Sequence, residues 1–267
     1  MSQIETIWAH RPLVVNFAQR ELKARYRRSL LGWLWSLINP LTTIMIYSLV
    51  FSVFLRAQAP PAGDGSNVFA LYLFSGLVVW ALFAAMVNGP MDWLQNVADL
   101  LRKIQFPADA AIFGGAASAV VQSLIEAGIL LAIMIGIGNV SWAMLTLPYV
   151  MLCAMLVGLG IGFFVSIANA YFRDVRYLVG VVLNIVFFLV PIVYPPSIIP
   201  EEHWGLPLLD LMELNPMFHF IEASRDAVYF GDVSWGRLAF IGAVSVTVFL
   251  AGWTFFVRKS VDIAEEL

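Results

Sequence analysis

The sequence predicts an all-α integral membrane protein with six transmembrane helices, preceded by an amphipathic helix lying along the membrane surface. Three observations predict it. Of 267 residues, 61% are hydrophobic and only 12% charged, whereas a soluble domain carries about 25% charged residues. Six stretches almost free of Asp, Glu, Lys and Arg, near residues 32–55, 68–87, 110–137, 142–171, 177–194 and 238–257, approach or exceed the roughly 20 residues a helix needs to cross a hydrocarbon core of about 30 Å. Finally, Arg11, Arg20, Lys23, Arg25, Arg27, Arg28, Arg102, Lys103, Arg173, Arg176, Arg258 and Lys259 fall on one side of these stretches, and only Arg56, Arg225 and Arg237 on the other. Basic residues near spans are retained in the cytoplasm, so both termini are expected inside and the connections after spans one, three and five outside. The first span follows a long arginine-rich segment, too far from Met1 for an ordinary cleaved signal, and is expected to be retained.

In chain order, one membrane domain covers residues 1–267. Residues 1–31 form an interfacial segment. At about 100° per residue, Val14, Phe17, Ala18, Leu22, Tyr26 and Leu30 share one face and Arg20, Lys23 and Arg27 gather on the other. Such a helix lies along anionic headgroups, with Pro12 suited to its first turn. Arg25 and Arg28 fall within the apolar arc, so they snorkel, pair, or contact a phosphate. Residues 32–90 hold spans one and two. Residues 91–107 have helical spacing at Leu94, Val97, Leu101 and Ile104, with Pro107 as terminator; this segment either docks in a groove of a soluble partner or rests on the membrane. Residues 108–194 hold spans three to five. Residues 195–236 form a long outer loop that Tyr194-Pro195-Pro196, Ile199-Pro200 and Asn215-Pro216 cut into short re-entrant or surface helices, a candidate lid over an outward opening. Residues 237–267 hold span six and a cytoplasmic tail.

A net charge of −3 argues against a nucleic-acid partner. A single cysteine, Cys153, and the scattered His10, His203 and His219 show no disulfide framework and no metal-ligand spacing. None of the three lysines, Lys23, Lys103 and Lys259, follows a glycine, so the chain has no P-loop; other hydrolase and metalloprotease motifs are missing too, and no catalytic residue, metal or cofactor is assigned to it. Asn139-Val140-Ser141 matches a glycosylation pattern too common to weigh. Glu126, a carboxylate inside span three, either serves transport, or bonds a neighbouring helix or remains protonated. Gly158, Gly160 and Gly162 suit close helix packing. Aromatic residues near span ends, such as Trp33, Trp35, Trp142 and Trp253, suit the bilayer interfaces; on span two, Tyr72, Trp80 or Phe83 could instead stack on a sugar.

The chain resembles the permease subunit of type-2 ABC exporters, particularly the class exporting O-antigen, teichoic acid and capsular polysaccharide. The residues carrying the resemblance are 20–35 (RELKARYRRSLLGWLW) leading to Asn39-Pro40, 101–107 (LRKIQFP), Phe172-Arg173-Asp174, Tyr194-Pro195, and Leu214-Asn215-Pro216 with Arg225. They occur in family order over nearly the full length. The overall character also resembles permeases exporting the cell-wall galactan of mycobacteria and their relatives.

The resemblance implies a homodimer around one channel in the bacterial inner membrane, with two ATP-binding cassette subunits holding the ATP and Mg that this chain does not bind. It implies a coupling segment at Asp99, Leu101, Arg102, Lys103, Phe106 and Pro107, a gate over residues 91–97, and an entrance near Arg25, Arg28, Leu31 and Gly32, where the arginines would meet the diphosphate of a lipid-linked polysaccharide. It places an outer gate at Tyr194, Pro195, Asn215, Pro216 and Arg225. The competing readings are an exporter of drugs or small lipids, an integral-membrane polyprenyl-phosphate glycan transferase, and a membrane scaffold. A transferase should carry acidic metal motifs, for which Asp92, Asp99 and Asp109 are too dispersed.

Overall fold

A computed structural model of the chain describes residues 8–25, 29–56, 59–104, 106–200, 202–203 and 206–263. Helix α1 (Arg11–Arg25) carries the predicted stripe: Phe17 is buried, Val14, Ala18 and Leu22 are half-buried, and Arg20 and Lys23 are exposed. Protein, rather than lipid, covers this stripe from Val14 to Leu22, whereas Leu30, beyond the end of the helix, is fully exposed. Phe17 joins Val97 and Ala111 in a small apolar cluster completed by Leu13, Leu100, Leu101 and Phe106, with the Phe17 and Phe106 ring centroids 5.8 Å apart. The approach to the third span is so close that a Cβ on Gly114 would lie 2.5 Å from that of Phe17 and 2.9 Å from the Val14 carbonyl oxygen. Tyr26, Arg27 and Arg28 lie outside the described residues.

Span one runs as one apolar rod, Gly32–Phe54, built of a 3-10 turn (Gly32–Leu34), α2 (Trp35–Tyr47) and a π-helical stretch (Ser48–Phe54). The chain turns into it at Gly32, whose φ of +51° is a conformation side chains disfavour. Then follow α3 (Phe69–Gln95), α4 (Ala98–Leu101), α5 (Asp109–Gly136), a 3-10 turn (Trp142–Thr146), α6 (Leu147–Tyr171) and α7 (Val175–Leu189). After a 3-10 turn (Pro196–Ile198), two short strands, β1 (Glu202–His203) and β2 (Leu206–Pro207), pair antiparallel, a small departure from the all-α prediction. Helices α8 (Leu208–Glu213) and α9 (Pro216–Arg225), a π-helical turn (Asp226–Phe230) and α10 (Trp235–Ile263) complete the chain.

Helix α6 is central, packed between α3 and α10 by glycines on opposite sides. Gly158 and Gly162, four residues apart, meet α3. A Cβ on Gly158 would lie 2.6 Å from that of Met86, and Gly162 sits against the Met86 carbonyl, the acceptor that Pro90 leaves without its helical N–H. Gly160 points the other way, onto the backbone of Val248 and Gly252 in α10.

Five of the described helices are long and apolar enough to span a bilayer. The predicted fifth span, 177–194, is shorter: α7 has 15 residues, about 22 Å at 1.5 Å per residue. Val190 turns extended, with ψ of 137°, because a residue before proline, here Pro191, is disfavoured in the helical region. The predicted helix over 91–107 is likewise divided. Helix α3 continues to Gln95, Val97 leaves helical geometry, and α4 is a single turn. Leu94, Val97 and Leu101 point inward, whereas Ile104 is exposed.

The connections after spans one, three and five meet at one end of the bundle. Asn139 Nδ2 donates to the Tyr229 carbonyl at 2.9 Å, Ser141 Oγ to the Gly231 carbonyl at 2.9 Å, Gly63 N to the Tyr229 carbonyl at 3.0 Å, and Tyr229 Oη to the Pro60 carbonyl at 2.9 Å. Gly231, with φ of +73°, makes the turn that lets Ser141 approach. Asn139 is buried, so the glycosylation-like triplet is a loop staple. The opposite end carries Arg102, Lys103, Arg173, Arg176, Arg258 and Lys259 and is called the basic end below.

Candidate functional site

At the basic end, α1, α3 and α5 enclose a cavity of about 390 Å³ lined in part by Glu21, Arg25, Asn88, Asp92, Trp93 and Ser118. The indole of Trp93 forms its floor because Gly89 and Gly115 leave room for the ring. Arg25 reaches the rim and is exposed. Asp92 also holds Arg176, at 2.7 Å, tying the end of α3 to the start of α7. Gly32 and the 40%-exposed Leu31 lie at the start of span one. Glu126 accepts from Gln122 on its own helix at 3.0 Å.

Of the predicted coupling residues, Asp99, Arg102 and Lys103 are exposed, while Leu101, Phe106 and Pro107 are half-buried. The apolar members hold this segment to α1 and α5, which leaves its charged side free. Trp253, predicted for a bilayer interface, is buried instead; its Nε1–H donates to Asp109 Oδ2 at 3.1 Å, fixing α10 to the start of α5. Sequence reading missed this pair. An aspartate at the first turn of an apolar helix was the available signal, since a carboxylate there needs a partner. Trp33 and Trp35 are partly exposed, and Trp142 stacks on Trp235 with centroids 6.3 Å apart.

At the other end, α9 folds back among the spans. Asn215 caps it by accepting from Met217 N at 3.0 Å and Pro216 occupies its first turn, a favourable helix start. Its last residue, Arg225, is fully buried. The guanidinium donates to Glu222 Oε1 at 2.7 Å and to the Ile192 carbonyl at 2.8 Å, and lies 3.8 Å over the Tyr72 ring. A Cβ on Gly76 would press on Ile221 of α9 at 3.0 Å and touch the guanidinium only at ordinary contact distance. Arg225 is therefore an internal tie between α9, α3 and the segment that leaves α7. Tyr194 is outside any helix, donating its hydroxyl to the Phe188 carbonyl at 2.8 Å, and Pro195 precedes the 3-10 turn. Beside the tie, Asp226 pairs with Arg237; burial pushes its carboxyl up to about 6 despite that cation.

The sugar-stacking expectation for span two is corrected. Tyr72 has no exposed surface, and Trp80 and Phe83 are 8% and 5% exposed. Tyr72 gives its face to Arg225, while Trp80 packs on Phe83 and Phe187. These rings fill the bundle because span two is its most enclosed helix, a property hydropathy does not report.

Helices of this length and apolarity, returning repeatedly between the same two ends, define a multi-pass membrane protein. The profile of the ABC-2 type transporter family matches residues 13–229, and the chain belongs to that family. It is 30% identical over 270 residues to the O-antigen export system permease protein RfbA of Myxococcus xanthus, covering 99% of this chain and 98% of that one. An O-antigen export system permease protein RfbA of Klebsiella pneumoniae is 25% identical over 96% of this chain and 95% of its own. The polysialic acid transport protein KpsM of Escherichia coli is 24% identical over 81% of each.

Proposed function

We propose that this chain is the channel-forming subunit of an ATP-driven exporter that moves a lipid-linked polysaccharide outward across the bacterial inner membrane. The observation carrying this reading is the likeness over nearly the whole length to permeases named for O-antigen export. Both termini are cytoplasmic in this reading. Along the sequence twelve Lys and Arg fall on one side of the apolar stretches against three on the other, and two of those three, Arg225 and Arg237, are tied to Glu222 and Asp226.

Two copies meet around the path. Span one has only 6% of its apolar window buried and α7 has no buried residue, whereas α3 and α6 are enclosed. One chain therefore encloses α3 and α6 and leaves two apolar elements uncovered. Having no P-loop, it takes its energy from two ATP-binding cassette subunits. Their seat is the exposed Asp99, Arg102 and Lys103, held to α1 and α5 through Phe106 and Phe17. Arg25, at the rim of the basic-end cavity, receives the anionic headgroup of the lipid carrier, a role suited to a forked donor. The polymer is galactan or another lipid-linked polysaccharide.

Depletion of the chain should cause a lipid-linked glycan to accumulate on the cytoplasmic side, and its sugar composition identifies the cargo. Arg25→Gln should reduce export and headgroup binding, and charge reversal at Asp99, Arg102 and Lys103 should abolish co-purification of the ATPase. Unchanged glycan pools on depletion, with altered drug or small-lipid efflux, would overturn the reading.

A further inference from the structure

Two neighbouring cavities are lined by α3, α6 and α7, the larger also by α9 and α10. The first, of about 510 Å³, falls within the roughly 300–1,000 Å³ of sites that enclose small ligands. Its walls are hydrocarbon apart from Asn215, whose side chain is committed to capping α9. Such a cavity gives water no partners and favours an apolar occupant. It opens past α7, because Leu178 and Val182 line it and are 63% and 56% exposed. The second cavity, of about 240 Å³, begins one helical turn nearer the basic end: Met91 follows Val87 on α3, Asn169 follows Val165 on α6, and Tyr177 adjoins Leu178 on α7.

The character of the crevice changes at that step. Arg176 is fixed at the rim by Asp92 at 2.7 Å and Gln95 at 3.1 Å. Arg173 has no hydrogen bond or ion pair to any described residue, and the Oδ1 of Asn169 is buried without a partner. Two guanidiniums and an amide oxygen needing a donor thus stand at the end of an aliphatic slot. A glycerol-headed phospholipid has this sequence of groups: hydroxyls to donate, a phosphate to accept, and a hydrocarbon chain.

We propose that this crevice holds one anionic glycerophospholipid, its phosphate against Arg173 and Arg176, a headgroup hydroxyl on Asn169, and one acyl chain in the aliphatic cavity. The lipid completes the packing of α7, which the chain itself leaves without a single buried residue. The site stands whether or not the chain exports a glycan.

The test is photolabelling of the full-length protein in nanodiscs with phosphatidylglycerol carrying a diazirine on one acyl chain, the labelled residues being located by mass spectrometry. Labelling should concentrate on Ile161, Val165 and Val248, which line the cavity. Arg173→Gln should lower it about tenfold, the loss of one charge-assisted hydrogen bond. Phosphatidylcholine with the same diazirine should label more weakly. Val165→Trp, which fills the cavity, or Val182→Trp at its exposed mouth, should abolish cavity labelling while leaving that of span one unchanged. Label spread evenly over span one and α7, or insensitive to both tryptophans, would overturn the proposal. So would displacement by undecaprenyl phosphate but not by unlabelled phosphatidylglycerol, which would assign the crevice to an isoprenoid carrier, or absence of cavity label because a second copy covers the mouth.

Discussion

Arg225→Met should loosen the whole outer segment. The guanidinium has no exposed surface, and Glu222, its partner, is 12% exposed, so the substitution leaves a nearly buried carboxylate unpaired and removes the donor to the Ile192 carbonyl. Breaking a buried pair from one side costs about 3–5 kcal/mol. With roughly 2–4 °C per kcal/mol for a chain of this size, the melting temperature should fall by about 10 °C. Glu222→Gln combined with Arg225→Met removes both charges and should recover at least half of that loss. The assay is thermal unfolding of the purified protein in detergent, with limited proteolysis across residues 190–234 as a local readout. If Arg225→Met melts within about 2 °C of the parent, or the double variant is no better than the single one, Arg225 is not the tie described here.

Gly252→Ala should destabilise by about 1–3 kcal/mol, because the new methyl meets the Gly160 backbone; Gly180→Ala, which meets nothing within 4 Å, is the control, and equal melting of the two would contradict the crossing. Phe17→Ala should cost about 3 kcal/mol and raise hydrogen exchange across residues 98–104, because the ring bridges α1 to the coupling segment; exchange changes confined to α1 would refute that bridge. Asp226 gives a pH dependence. Its folded-state pKa of about 6 lies above the ordinary 3.8, so the stability it contributes is fully present below about pH 4 and is lost as pH rises through 6. The melting temperature should therefore fall between pH 4 and 7, and Asp226→Asn should flatten that slope; parallel profiles would exclude the assignment.

The apolar segments and their alternation between two ends were legible in the sequence, because hydropathy is a local property that adds along the chain. The end of α7 shows how far that goes: the apolar run continues to Tyr194, but Pro191 halts the helix, a signal present in the sequence yet outweighed there by hydropathy. The α1 stripe was also legible, from Val14 to Leu22. Its partner was not, since a face suited to lipid is equally suited to the Gly114 side of α5.

Gly158, Gly160 and Gly162 announced close packing, while only the assembled bundle divided them between α3 and α10. Likewise, Arg225 reads as one basic residue in a loop until α9 folds back and lays it over Tyr72. Composition determines which segments leave water, because each residue's transfer between solvents is nearly independent of its neighbours. Which buried surfaces meet depends on shape and on pairing between residues as far apart as Tyr72 and Arg225, and that was decided by tertiary structure alone.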